Sequence, residues 1–246
     1  MGCFHVLIED NKDKIKTIID DAMNDKTAEE GSSKKKIGDF YASGMDTLSI
    51  EKAGITPLKP EFDRIDALQS IGDVQKLAAA FQTNGMAPFF FIYASADEKN
   101  SKMMIANMWQ AGLGMPDRDY YTSDDERSKD LRVAYVDHLA KMFGLLGDEE
   151  AIAKANAEKV MEIETRLAKA SFTNLENRDP QRTYNKLGLE DLAKIAPDFD
   201  WKSFVTAIGY PSIDSINVAQ LSFVKELSKA MKEVPVKDWK TFSGGI

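Results

Sequence analysis

Apolar residues recur at three- and four-residue spacing over the first two dozen positions, at Phe4, Leu7, Ile8, Ile15, Ile18, Ile19 and Ala22, with lysines and aspartates between them. That period predicts an amphipathic helix. The stretch EEGSSKKK follows; its three lysines invite an anion site, but a solvated loop or helix end is the preferred reading. Ile37, Phe40 and Tyr41 then predict a second helix. Leu58-Lys59-Pro60 reads as a helix entrance, with proline in the first turn and Phe62, Ile65 and Leu68 on one face. A further helix is expected over about 73–81, terminated by Asn84-Gly85.

The pattern changes at APFFFIYASADEKNSKMMIANMWQAG, where aromatic and branched residues flank a polar cluster at 97–101 without helical period. This predicts one small β-hairpin near 88–110. Beyond it, Leu131, Tyr135, Leu139, Met142 and Leu146 mark a long helix ending near Gly147, and Asp148 is the expected cap of its successor, where Ile152, Val160, Ile163 and Leu167 keep the stripe. SFTNLENRDPQRTYNKL reads as a polar connection. Shorter helices are expected over 189–195, 201–208 and 219–231, separated by Pro197 and Pro211. The fold class is therefore mainly α, a multi-helix domain with one small β-hairpin.

Composition narrows the function classes. With 246 residues and 43% hydrophobic content the chain can bury a sizeable core, as one large domain or two smaller ones. Forty acidic against 32 basic residues leave a net charge of -8, which disfavours nucleic acid and anionic membrane surfaces as partners. A lone cysteine, Cys3, excludes an internal disulfide and does not locate the protein. No apolar run approaches the roughly 18 to 20 residues that span a bilayer, so insertion into a membrane is not expected, nor is an export signal.

The search for chemistry is mostly negative. Zinc hydrolases commonly pair two histidines one helical turn apart with a glutamate between them. Here the only histidines are His5 and His138, far apart in sequence, and adding Cys3 makes a Cys-x-His pair of no common spacing. No metal site is expected. His138 is expected to be a partly buried histidine bonded to a backbone carbonyl. The chain has no Gly-x-Ser-x-Gly elbow and no glycine-rich phosphate loop. Glu158 and Glu162 share a helical face, and in an acidic helical protein such a pair reads as solvated surface. No catalytic residue is assigned.

GLGMPDRDYY, residues 112–121, resembles the Gly-Leu-x-Leu-Pro-x-Arg-Asp-Tyr-Tyr segment of the neprilysin and endothelin-converting-enzyme family of zinc endopeptidases. FFFIYASADEKNS before it is similar to the family's strand leading into Asp-x-Lys-Asn-Ser. After it, AEKVMEIETRLAKASF, NRDPQRTYNKLGLEDL and PDFDW follow in the family's order, and GCFHVLIEDNKDKIKTII resembles the family segment that continues as a long helix. The resemblance covers residues 2–242. It implies a helical lid domain over 1–242, with Met1 and the 243–246 tail as fragment ends. The family's His-Glu-x-x-His and downstream glutamate are absent, so the resemblance implies no cofactor in this chain and zinc in the catalytic half of a parent enzyme. The implied partners are that catalytic zinc domain and small peptide substrates, and the chain alone is expected to be inactive. The alternative is a stand-alone helical peptide-binding or interaction module that reuses the same fold.

Within the motif, Arg118 has two readings. It holds a substrate carboxylate, or it pairs locally while Pro116 stops the preceding strand and Asp117 or Asp119 satisfies free backbone amides. The structural reading is the expectation, and Arg178 in NRDP receives the same one. The resemblance also implies that the first helix carries Arg-x-x-x-x-Asp-x-x-Arg to the cavity wall. Aligned on Gly2 and Phe4, the acid position is His5 and the second arginine position is Ile8. These are the candidate substrate-binding residues, three apart on one helical face; simple packing at the helix start is the competing reading.

Overall fold

Thirteen α-helices and one four-stranded sheet form among the described residues, 3–245, of the computed structural model. Met1 and Gly2, the latter an anchor of the family alignment, lie outside the described residues, as does Ile246. The chain divides into two units, Met1–Lys59 and Pro60–Ile246.

The first unit holds α1 (Cys3–Asn24), α2 (Ser33–Met45) and α3 (Thr47–Ala53). Ser32 caps α2 by accepting from the Lys35 amide, and Asp46 caps α3 by accepting from the Ser49 amide. α1 and α2 meet at their smallest residues: a Cβ on Gly38 would stand 2.4 Å from the Ala22 carbonyl oxygen. In the lysine stretch Lys34 pairs with Asp25 and Lys35 with Asp39. The predicted stripe on α1 is real as spacing but is not a covered face. Phe4, Leu7, Ile8, Ile15 and Ile18 are all exposed, and only Ala22 is buried. α3 went unpredicted because seven residues span fewer than two turns, too few to show a period.

The second unit opens with α4 (Lys59–Asp66) and α5 (Ile71–Thr83), the latter set by a reciprocal capping box between Ser70 and Asp73. β1 (Phe90–Asp97) and β2 (Asn100–Gln110) form the predicted hairpin. Next come α6 (Asp119–Thr122), α7 (Glu126–Leu145), α8 (Glu150–Ala170) and α9 (Pro180–Thr183), then β3 (Lys186–Gly188), α10 (Leu189–Ile195), α11 (Trp201–Ala207), β4 (Ser215–Val218), α12 (Leu221–Glu233) and α13 (Val236–Gly245). The hairpin is half of a larger sheet of order β1-β2-β4-β3, with β4 parallel to β2 and antiparallel to β3. The expected polar connection conceals α9 and β3. Strands of three and four residues carry no period to read; their register is held by side chains, since Asn217 donates to Asn107 at 3.0 Å and accepts from the Asn185 amide at 2.6 Å. Two further expectations are corrected. The residue before α8 is Glu149, and the Asp148 carboxylate instead accepts from Asn156 Nδ2 at 2.8 Å. Residues 243–245, read as a tail, form the last turn of α13, where Ser243 is buried.

α8 is the axis of the core. Ala153, Ala157, Val160, Ile163 and Leu167 are buried along it. Phe89 and Phe90, adjacent where the chain enters β1, anchor two separate aromatic groups. Phe89 lies 5.3 Å from Trp239 and 5.7 Å from Phe242, whereas Phe90 lies 5.0 to 5.6 Å from Phe199, Trp201 and Phe204. Successive extended residues point to opposite sides, so two phenylalanines tie α13 and the α10–α11 corner to one strand start.

Candidate functional site

β2 ends at Gln110, well before Pro116, so proline does not stop the strand as expected. Gly112 turns the chain instead. Its φ is +77°, and a Cβ there would stand 1.9 Å from the Pro88 carbonyl oxygen, so only glycine fits. The chain then crosses α8 and delivers GLGMPDRDYY onto Glu164, a carboxylate only 2% exposed. Glu164 accepts from Tyr121 Oη at 2.8 Å, Tyr135 Oη at 3.0 Å and the Gly114 amide at 3.2 Å. Tyr121 Oη in turn accepts from the Met115 amide at 2.9 Å. Burial pushes the Glu164 carboxyl up from its ordinary value, against the three hydrogen bonds that favour the charged form. Both tyrosines are pushed up as well, first by burial and then by the neighbouring carboxylate.

The charged triplet of the motif also does structural work. Asp117 accepts from the Asp119 amide at 2.8 Å and from Asn174 Nδ2 at 3.0 Å. Arg118 reaches the Ser171 carbonyl at 3.3 Å and lies 3.9 Å from the Asp119 carboxylate. In NRDP, Arg178 is exposed and Asp179 caps α9 by accepting from the Gln181 amide. A second knot joins two more of the segments singled out in the sequence. Asp97, 3% exposed, accepts from the Lys99 amide and Tyr184 Oη, each at 2.9 Å, and from Lys186 Nζ at 3.1 Å. The Lys99 amide, with Tyr184 and Lys186 behind it, holds the Asp97 carboxyl below the usual range.

Neither buried carboxylate, Glu164 or Asp97, faces open space as a reacting group would. Glu164 was not singled out in the sequence, although a signal was there: an acid at the fourth residue after Val160 and the third before Leu167, on the buried stripe of α8. His138 is exposed on α7, not partly buried, because it shares the outer face of the helix with Ala134 and Met142 while Leu139 beside it turns inward. Glu162 pairs with Lys159 at 2.5 Å on the surface, as a solvated pair should. Open space does occur beside α8, in a shallow groove of about 670 Å³. Its arginine, Arg166, is already held by Glu226 and Glu233 at 2.6 Å each.

His5 and Ile8, the candidate substrate-binding residues, lie on α1 and are both exposed, Ile8 at 52%. Among the described residues no group of three or more histidine, cysteine, aspartate or glutamate side chains is placed to hold a metal ion. The described residues therefore offer no donor set that fits zinc. No described helix is long and apolar enough to cross a membrane.

A family model described as peptidase family M13 matches residues 1–244. Endothelin-converting enzyme 1 of Homo sapiens is 31% identical over 221 residues, 85% of this chain and 28% of that enzyme. Among solved structures, the Mycobacterium tuberculosis zinc metalloprotease ZMP1 in complex with an inhibitor aligns with a TM-score of 0.89 at 30% identity, over 99% of this chain and 37% of that one. PepO from Lactobacillus rhamnosis HN001, at 15% identity and a TM-score of 0.72 over 95% of this chain and 37% of that one, shares the fold.

Proposed function

Because the chain belongs to peptidase family M13, we propose that it is the helical, substrate-enclosing lid of a zinc endopeptidase that cleaves small peptides, and that it is inactive by itself. One observation carries the reading: the family match runs through residues 1–244, yet the chain spans only 37% of ZMP1 and its described residues include no metal-binding group. Zinc and the acid-base chemistry then belong to the remainder of the parent, and this chain supplies walls. ZMP1 has been solved in complex with an inhibitor, in an open state and in a partial open state, which supports an enclosing part that moves relative to the chemistry. A closed chamber admits a small peptide and excludes a folded protein. His5 and Ile8 are the proposed contacts of the first helix with substrate.

The test compares the purified chain with the parent enzyme. With zinc supplied, the chain alone is expected to leave a peptide library intact, while the parent cleaves short peptides and leaves the same sequences uncut inside a folded host. Chelator-sensitive cleavage by the chain alone overturns the division of labour, and cleavage inside the folded host overturns the lid.

A further inference from the structure

β1 is an outer strand of the sheet. The Ala111 amide donates to the Phe89 carbonyl, so with Phe90 opposite Gln110 the odd-numbered residues of β1 pair with β2 and the even-numbered ones turn their N–H and C=O groups to the free edge. A row of such groups is a template for any extended chain. Gln82, in the last turn of α5, interrupts it. With its amide oriented to satisfy both partners, Nε2 donates to the Phe90 carbonyl at 3.2 Å and Oε1 accepts from the Ile92 amide at 3.3 Å. The side chain thus occupies the edge as a peptide group of a neighbouring strand would. At the other end the register shifts between Ala96 and Asp97, and Ser95 Oγ donates to the Ala96 carbonyl at 3.3 Å. Between these two ends the Ile92 carbonyl, both groups of Ala94 and the Ala96 amide still face the edge, so the side chain blocks the start of the strand.

We infer that Gln82 is an edge guard: its carboxamide blocks the start of the outer edge of β1, at Phe90 and Ile92, against pairing with an extended peptide or with a second copy of this chain. A protein that encloses small peptides, as proposed above, has particular use for such a device, but the inference rests on the edge geometry alone and stands whether or not the lid reading does. Gln82→Ala and the near-isosteric Gln82→Met both remove the amide, and Met keeps the packing. In the full chain, both are expected to speed hydrogen exchange at the Ile92 amide about fivefold, as the loss of one hydrogen bond implies. Both are also expected to raise self-association on light scattering as concentration increases. Unchanged exchange at Ile92 in both variants removes the hydrogen bond and with it the guard. Faster exchange without added association removes the protective role, and an effect of Ala that Met does not share assigns the change to packing and overturns the inference.

Discussion

Glu164 is an acid where Ala153, Ala157, Val160 and Leu167 set an apolar stripe, and it is tolerated because three donors converge on it. Glu164→Ala leaves those donors facing a cavity, so a loss of about 3 to 5 kcal/mol in urea unfolding is expected. Glu164→Gln, which keeps one acceptor oxygen, costs less. The pH dependence has a definite sign. Burial raises the folded-state carboxyl above its ordinary value of 4.5, so the folded chain holds this proton more tightly than the unfolded one. The resulting stability is full below the unfolded value and is lost as pH rises through the folded one. Wild-type stability minus that of Glu164→Gln should therefore fall as pH rises through that window and level off above it; a difference that climbs with pH contradicts the assignment. The second residue-scale prediction concerns Ile8, proposed above as a substrate contact and aligned, on Gly2 and Phe4, with an arginine of the family pattern. With no guanidinium to hold a substrate carboxylate, the parent is expected to depend little on a free peptide C-terminus. Ile8→Arg should raise the preference for free over amidated peptides by roughly 10- to 100-fold, the equivalent of about 1.5 to 3 kcal/mol for a charge-assisted pair. If wild type already favours the free carboxylate strongly and Ile8→Arg leaves the ratio unchanged, α1 is not on the substrate.

At the scale of elements, α1 and α2 depend on one close approach. A methyl group on Gly38 meets Ala22 backbone atoms at 2.4 and 2.8 Å, and backbone on both sides cannot give way as a flexible side chain can. Gly38→Ala is therefore expected to separate the two helices at a cost of about 1 to 3 kcal/mol, seen as faster hydrogen exchange through α1 and α2. Gly44→Ala, on the same helix with nothing within 4 Å, is the control and should be neutral or stabilising by up to about 1 kcal/mol through helix propensity alone. Equal effects at the two glycines would show that propensity, not packing, sets the response. The exposed stripe of α1 makes the complementary point. Leu7, Ile15 and Ile18 have the spacing of a buried face and are uncovered within this chain, so the apolar period of a helix reports that a face is meant to be covered without saying by what.

At the scale of the whole molecule, the purified chain is expected to bind less than one equivalent of zinc by elemental analysis after dialysis, because the sequence holds only two histidines and one cysteine and no metal-holding group of three or more such side chains forms among the described residues. A stoichiometric metal would contradict this. The mainly helical character, the positions of the long helices and the hairpin were legible in the sequence because each rests on a local period repeated over two or more turns or strand repeats. Family membership was legible in GLGMPDRDYY and the segments around it, because a motif is a linear object. Tertiary structure alone decided the rest. β3 and β4 are three and four residues long and exist through pairing with distant partners. Gly112 must be glycine because Pro88 lies against it, and the motif's tyrosine binds a glutamate 43 residues further on. Spacing along the chain registers what a residue can do with its near neighbours; a buried carboxylate with three donors, or a glutamine lying across a sheet edge, depends on groups brought together only when the whole chain has packed.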